Sequence, residues 1–183
     1  MLIILSGPSG VGKTTLASYL LNTFSELQRV ITYTTRPPRP GEISGKDYHF
    51  MSEKIFQMLE LGGAFIEKNY FNGHWYATPN DFIPSLQHGA HWLVIPDVNG
   101  AQKLKMAVPS ATAIWITAPS EVLRARLRAR RSEDSATQEE RLKRALIEEK
   151  EARASGMYQH ILVNEDLETA KEELSKIVRS IIF

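Results

Sequence analysis

The sequence predicts an α/β fold, with a parallel central sheet carrying helices on both faces and one smaller insertion. Three observations carry that expectation. Short continuous apolar runs, at residues 2–5 and 111–116, have the pattern of strands covered on both faces. Segments with helical spacing alternate with them, the first marked by Leu16, Tyr19, Leu20 and Phe24. Residues 30–80 break the alternation with turn and hairpin signals, and read as an antiparallel insertion into the α/β core.

The elements can be justified in chain order. The run at 2–5 leads into Ser6-Gly7-Pro8 and a helix from Lys13 to about Phe24. A second strand is expected over 30–34, and a loop rich in Pro, Gly and Arg over 35–46. A short strand at 48–51 precedes Ser52, which is placed to cap a helix that runs through Leu61 and stops at Gly62-Gly63. Residues 64–71 and 75–77 alternate around Asn72-Gly73, a strong hairpin signal. A short helix over 79–87, a strand over 92–97 and a helix from about Gly100 follow. After the strand at 111–116, Pro119 opens a helix toward Arg130. A charged helix over 137–155, a strand over 158–163 and an amphipathic helix over 166–181, capped by Asp166, close the chain.

Length and composition limit what such a fold can do. At 183 residues and 20.7 kDa the chain fits one domain, large enough to bury roughly 70% of its unfolded surface. It contains no cysteine, which excludes a disulfide framework, a thiolate zinc site and a catalytic thiol, and suits a reducing cytoplasm. Lys and Arg total 22 against 21 for Asp and Glu, a balance that argues against nucleic acid as a partner. No apolar run approaches the ~20 residues of a membrane span. The first run is also too short, and lacks the basic flank, for a signal peptide, so the domain is expected to begin at residue 1.

Gly7-Pro8-Ser9-Gly10-Val11-Gly12-Lys13-Thr14 satisfies G-x-x-x-x-G-K-[ST], between a buried strand and a helix. Glycines there let consecutive backbone N–H groups surround phosphate oxygens, and the helix start adds its dipole. Lys13 is suited to the β- and γ-phosphates and the Thr14 hydroxyl to Mg²⁺. A nucleoside triphosphate is expected on this run, which extends through Thr15.

A second anion site is indicated downstream. Thr32-Tyr33-Thr34-Thr35-Arg36-Pro37-Pro38-Arg39-Pro40-Gly41-Glu42 sets two guanidiniums on a proline-stiffened loop, followed by Tyr48 and Tyr76. Planar guanidiniums and phenols suit a monophosphate. On composition alone, a basic loop of no function remains open. Arg124, Arg126, Arg128, Arg130 and Arg131 form another basic run, which by itself reads either as a nucleic-acid stripe or as a solvated face balanced by nearby acids.

Taken together, these motifs resemble the guanylate kinases, which convert GMP and ATP to GDP and ADP. The resemblance runs nearly end to end: G-P-S-G-V-G-K-T, T-T-R-P-P-R-P-G-E, G-K-D-Y-H-F, F-I-E, W-Y-A-T-P, D-V-N-G-A-Q, R-L-R-A-R and V-N-E-D-L. It implies a three-layer P-loop NTPase fold with a core over 1–29, 85–127 and 142–183. It also implies a GMP-binding insertion over 30–84 and a helical lid over 128–141. Arg36, Arg39, Tyr48 and Tyr76 would hold the GMP phosphate. Glu67, with Thr32 and Thr78, would read guanine, and Asp97 would complete the acceptor site. Lys13, Arg36, Arg126, Arg130 and Arg141 would carry catalysis, with ATP as donor and Mg²⁺ bound through Thr14. The partners implied are small nucleotides, with the chain a monomer or weak homodimer.

Some positions depart from the family pattern. Its usual D-x-D is Ile95-Pro96-Asp97 here, so the first aspartate, expected near the metal, is absent. Lys68 replaces a frequent tryptophan, Ala77 a frequent glycine, and Thr32 a serine. A kinase of another phosphorylated acceptor, such as a ribose bisphosphate, is an alternative that Glu67 and the full arginine loop oppose. A non-catalytic binding module is a second, opposed by the retained Gly12, Lys13 and Thr14.

Overall fold

A computed structural model describes residues 1–71, 73–129 and 135–183 of the chain. The first strand, β1 (Leu2–Ser6), is buried along its whole length because it sits in the middle of the main sheet. With β2 (Leu27–Arg29), β7 (His91–Val94), β8 (Thr112–Thr117) and β9 (His160–Val163) it forms the order β2-β7-β1-β8-β9, every pairing parallel.

Alternation along β1 divides the core between two faces. Ile3 and Leu5 pack with α1 (Lys13–Thr23) and α7 (Leu167–Ile182). That layer also takes Leu123 from α5 (Ser120–Ala129) and Leu142 from α6 (Ser135–Ser155). Leu2 and Ile4 face the other way, toward Ala101 and Leu104 of α4 (Val98–Ala107). An all-parallel sheet needs both layers, since its strands have no solvated face.

The insertion builds its own sheet, β4-β3-β6-β5, from β3 (Tyr33–Thr34), β4 (His49–Phe50), β5 (Phe65–Phe71) and β6 (His74–Pro79). Between β4 and β5, α2 (Glu53–Leu61) is capped by Ser52, whose Oγ accepts from Ile55 N. The short α3 (Ile83–Leu86) returns the chain to the core.

Several local expectations need correction. The single strand expected over 30–34 is divided. Val30 N still donates to Leu93 O in the main sheet (2.9 Å), whereas Tyr33 and Thr34 pair with Ala77 and Tyr76 in the small one. The expected small antiparallel sheet is present, with one parallel pairing at its edge. β3 and β4 run parallel, since the stretch between them, residues 35–48, is long enough for a crossover. The expected helix over 79–87 shrinks to α3, because Pro79 still pairs with Phe65. The strand expected over 92–97 stops at Val94 ahead of Pro96, which has no N–H for a ladder. Asp97 then caps α4, so that helix begins at Val98, two residues earlier than expected.

Parallel strands all end at one edge of the sheet. That edge carries the glycine loop after β1, Asp97 after β7 and Asn164 after β9. Ligands of open α/β sheets bind at this edge.

Candidate active site

The glycine loop packs too tightly for side chains at two positions. A Cβ on Gly7 would lie 2.2 Å from the Ile116 carbonyl oxygen, and one on Gly12 2.5 Å from Asn164 Nδ2. Gly12 also has φ +95°, a left-handed conformation that lets the chain turn straight into α1. Among the described residues no side chain caps α1, so its first N–H groups are not taken by a capping side chain. Lys13 arches back over the loop, its Nζ donating to the carbonyls of Gly7 (2.5 Å) and Pro8 (2.9 Å). Thr14 and Thr15 are exposed in the first helical turn. Val11 is buried, and its carbonyl accepts from Asn164 Nδ2 at 2.8 Å.

On the acceptor side, Arg36 is held from three directions. Its Nη2 donates to Glu42 Oε1 (2.8 Å), its Nη1 to the Pro37 carbonyl (2.7 Å), and its guanidinium lies 5.5 Å from the Tyr48 ring centroid. Glu42 Oε2 also accepts from the Arg39 N–H (2.7 Å), so this carboxylate braces the loop at both arginines. Burial alone would raise the Glu42 pKa, but the bonds from Arg36 and Arg39 outweigh it and hold the group below its ordinary range. Tyr48 meets Tyr76 edge-on at 6.1 Å, and burial raises the Tyr48 phenol pKa. Arg39 is exposed. The structure thus brings Arg36, Tyr48 and Tyr76 together, with Arg39 on the same loop.

The β5–β6 hairpin pairs Phe71 with His74, and in the same register Glu67 faces Thr78 and Asn69 faces Tyr76. Thr78 Oγ donates to Glu67 Oε1 at 2.7 Å, whereas Glu67 Oε2 is buried and has no hydrogen-bond partner among the described residues. Burial raises the Glu67 pKa above its ordinary 4.5; the Thr78 bond opposes this and the Asp97 charge adds to it. A buried carboxylate oxygen left unpaired is costly unless a ligand donates to it. Thr32 is half-buried, and its carbonyl accepts from His49 N (2.8 Å). Asp97 Oδ1 accepts from Gly100 N (2.8 Å) as the cap of α4.

The arginines divide by location. Arg126 donates to the carbonyls of Asn164 (2.8 Å) and Glu165 (3.2 Å), beside the glycine loop. Arg141 Nη1 reaches Ser9 Oγ at 3.5 Å, so α6 also touches that loop. Arg124 and Arg128 are exposed, and Arg130 lies outside the described residues. Sequence reading missed Arg144, which lines a cleft of about 120 Å³ with Asp97, Asn99 and Glu148. Its guanidinium sits 4.4 Å from the Phe71 ring centroid and its Nε donates to Glu148 Oε1 (3.1 Å). Its position one helical turn after Arg141 was the available signal. Asn164 was missed too, although a polar residue ending an apolar strand was legible.

The comparisons with known proteins agree with this geometry. A family model described as Guanylate kinase matches residues 1–181. The chain belongs to the guanylate kinase family. It is 39% identical over 181 residues to a guanylate kinase of Wolbachia pipientis wMel, covering 97% of this chain and 89% of that one. A guanylate kinase of Nitrosococcus oceani is 36% identical over 181 residues, at 98% and 88% coverage. Among solved structures, the guanylate kinase from Anaplasma phagocytophilum superposes with a TM-score of 0.80 at 30% identity, covering all of this chain and 86% of its own. The guanylate kinase frame, a three-layer P-loop fold with a small second sheet, is therefore the fold of this chain.

Proposed function

We propose that the protein transfers the γ-phosphoryl group of ATP to GMP, and also to dGMP, releasing ADP and the nucleoside diphosphate. The observation that carries this reading is Glu67, with one oxygen held by Thr78 and the other buried and unpartnered. Guanine presents N1–H and a 2-amino group to such a carboxylate, whereas adenine has an unprotonated N1 and no 2-amino group. A site built for those donors can discriminate by roughly 10⁴–10⁵.

Arg36 and Arg39, with Tyr48 and Tyr76, would hold the acceptor phosphate, and Asp97 and Thr32 would border the base. The glycine loop and Lys13 would hold the donor phosphates. Catalysis would rest on alignment and charge neutralisation, with an acceptor phosphate oxygen attacking in line. No covalent intermediate is required, because the monophosphate is already anionic. Arg126, Arg130, Arg141 and Arg144 would oppose the charge that spreads over the transferring group. The core, acceptor insertion (30–84) and lid (128–141) are the proposed working parts.

The exposed Thr14 hydroxyl, next to a loop with no room for a Cβ at Gly7 or Gly12, fits Mg²⁺ arriving with the nucleotide. When bound, Mg²⁺ would neutralise charge on the β- and γ-phosphoryl oxygens. Release of ADP measured across GMP, dGMP, AMP, CMP and UMP tests the reading. Turnover confined to GMP and dGMP is expected; AMP used as readily as GMP would overturn it.

A further inference from the structure

Asn69 has no task in the chemistry above. It stands on β5 two residues beyond Glu67, so both side chains leave the same face of the hairpin. Its Nδ2 donates to Asp97 Oδ2 at 2.5 Å, while Asp97 Oδ1 accepts from Gly100 N. Each oxygen of Asp97 is therefore engaged, one by the helix it caps and one by the insertion. The Lys103 ammonium also donates to the Lys68 carbonyl, so adjacent β5 residues are both fastened to the α4 region.

The partnerless oxygen of Glu67 faces the same place. A Cβ on Gly100 would lie 3.3 Å from Glu67 Oε2 and 3.4 Å from Asp97 Oδ1. The candidate base-reading carboxylate and the Asn69–Asp97 pair thus meet at one glycine. With Asn69 removed, Asp97 would lose the amide that directs it and could swing its charge toward Glu67. The strand bearing Glu67 would also lose one of its ties to α4.

We infer that Asn69 is a positioning residue for acceptor specificity: through Asp97 it fixes β5 against the start of α4, and so holds the wall on which Glu67 meets the base. This rests on the GMP reading above. An acceptor pocket assembled before binding spares the ligand the cost of ordering it, so its loss appears in acceptor affinity rather than in the chemical step.

Asn69→Ala and Asn69→Asp test the inference in the full chain, beside the wild type. For Asn69→Ala, the GMP KM should rise about tenfold, with the ATP KM and kcat at saturating GMP within about twofold. Asn69→Asp sets a carboxylate against Asp97 and should raise the GMP KM further. Calorimetric GMP titration without ATP should show the same order of loss. A GMP KM unchanged in both variants overturns the inference. So does a parallel rise of both KM values with a fall in Tm, which would make Asn69 a plain structural tie. Failure of the underlying reading looks different: the wild type itself would then fail to prefer GMP over AMP.

Discussion

Asn164 Nδ2 donates to the Val11 carbonyl at 2.8 Å, joining the end of β9 to the glycine loop across 153 positions of sequence. The same residue is 1% exposed, donates its backbone N–H to Thr117 O (2.7 Å) and offers its carbonyl to Arg126. One buried asparagine, through its side-chain amide and its backbone, therefore joins the glycine loop, the end of β8 and an arginine. Asn164→Ala leaves the Val11 carbonyl unpaired, a cost of about 1–3 kcal/mol. For a domain of this size that is a fall in Tm of roughly 2–12 °C. The ATP KM should rise by more than the GMP KM. Thermal melts and initial rates check both; an ATP KM that does not move would separate the amide from donor binding.

Gly7→Ala should be worse than Gly41→Ala. The first sets a Cβ 2.2 Å from a backbone carbonyl of β8, which cannot retreat without disturbing the sheet, whereas nothing lies within 4 Å of a Cβ at Gly41. Both residues have positive φ, so each alanine carries a backbone cost, to which Gly7→Ala adds the clash. Gly7→Ala should lose ATP binding and melt several degrees lower. Equal melting of the two variants would argue that the loop relaxes.

Lys13→Ala should nearly abolish turnover while GMP still binds, because the acceptor groups lie on the insertion and Lys13 on α1. Equilibrium GMP titration of a folded variant checks this. A kcat near the wild-type value would contradict the donor-site assignment.

Glu67→Gln should weaken GMP by about 1.5–3 kcal/mol, roughly 10- to 150-fold, since a charge-assisted acceptor is replaced by an amide. The pH dependence follows from the raised pKa of Glu67. As pH falls through that value, above 4.5, the carboxylate takes up a proton and loses an acceptor, so the GMP KM should climb. For the ligand-free protein the sign is opposite. The folded state binds the proton more tightly than the unfolded one, so this group's contribution to stability is present at low pH and lost as pH rises from 4.5 through the folded pKa. In Glu67→Gln both effects should vanish, leaving the ionisation of the GMP phosphate itself. Parallel pH profiles for the two proteins would assign the titration elsewhere.

Much of this protein was legible as local pattern. The glycine loop, the buried strand before it, the caps at Ser52 and Asp166 and the Asn72-Gly73 turn are each specified by residues close in sequence, where backbone stereochemistry and apolar period decide the outcome. The alternation on either side of Asn72-Gly73 agrees with the observed register, in which Glu67 meets Thr78. What only the tertiary structure decided lies in contacts between distant segments. The run at 30–34 is uniformly strand-like, yet the chain leaves one sheet and joins another within it, a choice made by Leu93 and Ala77 rather than by its own residues. Asn69 carries no local signature of its role, and the partners of Asp97, Arg144 and Asn164 cannot be read from their neighbours in sequence. A polar side chain acquires its meaning from the atoms that close around it, and those come from β5, α4, α6 and β9 only after the core has packed.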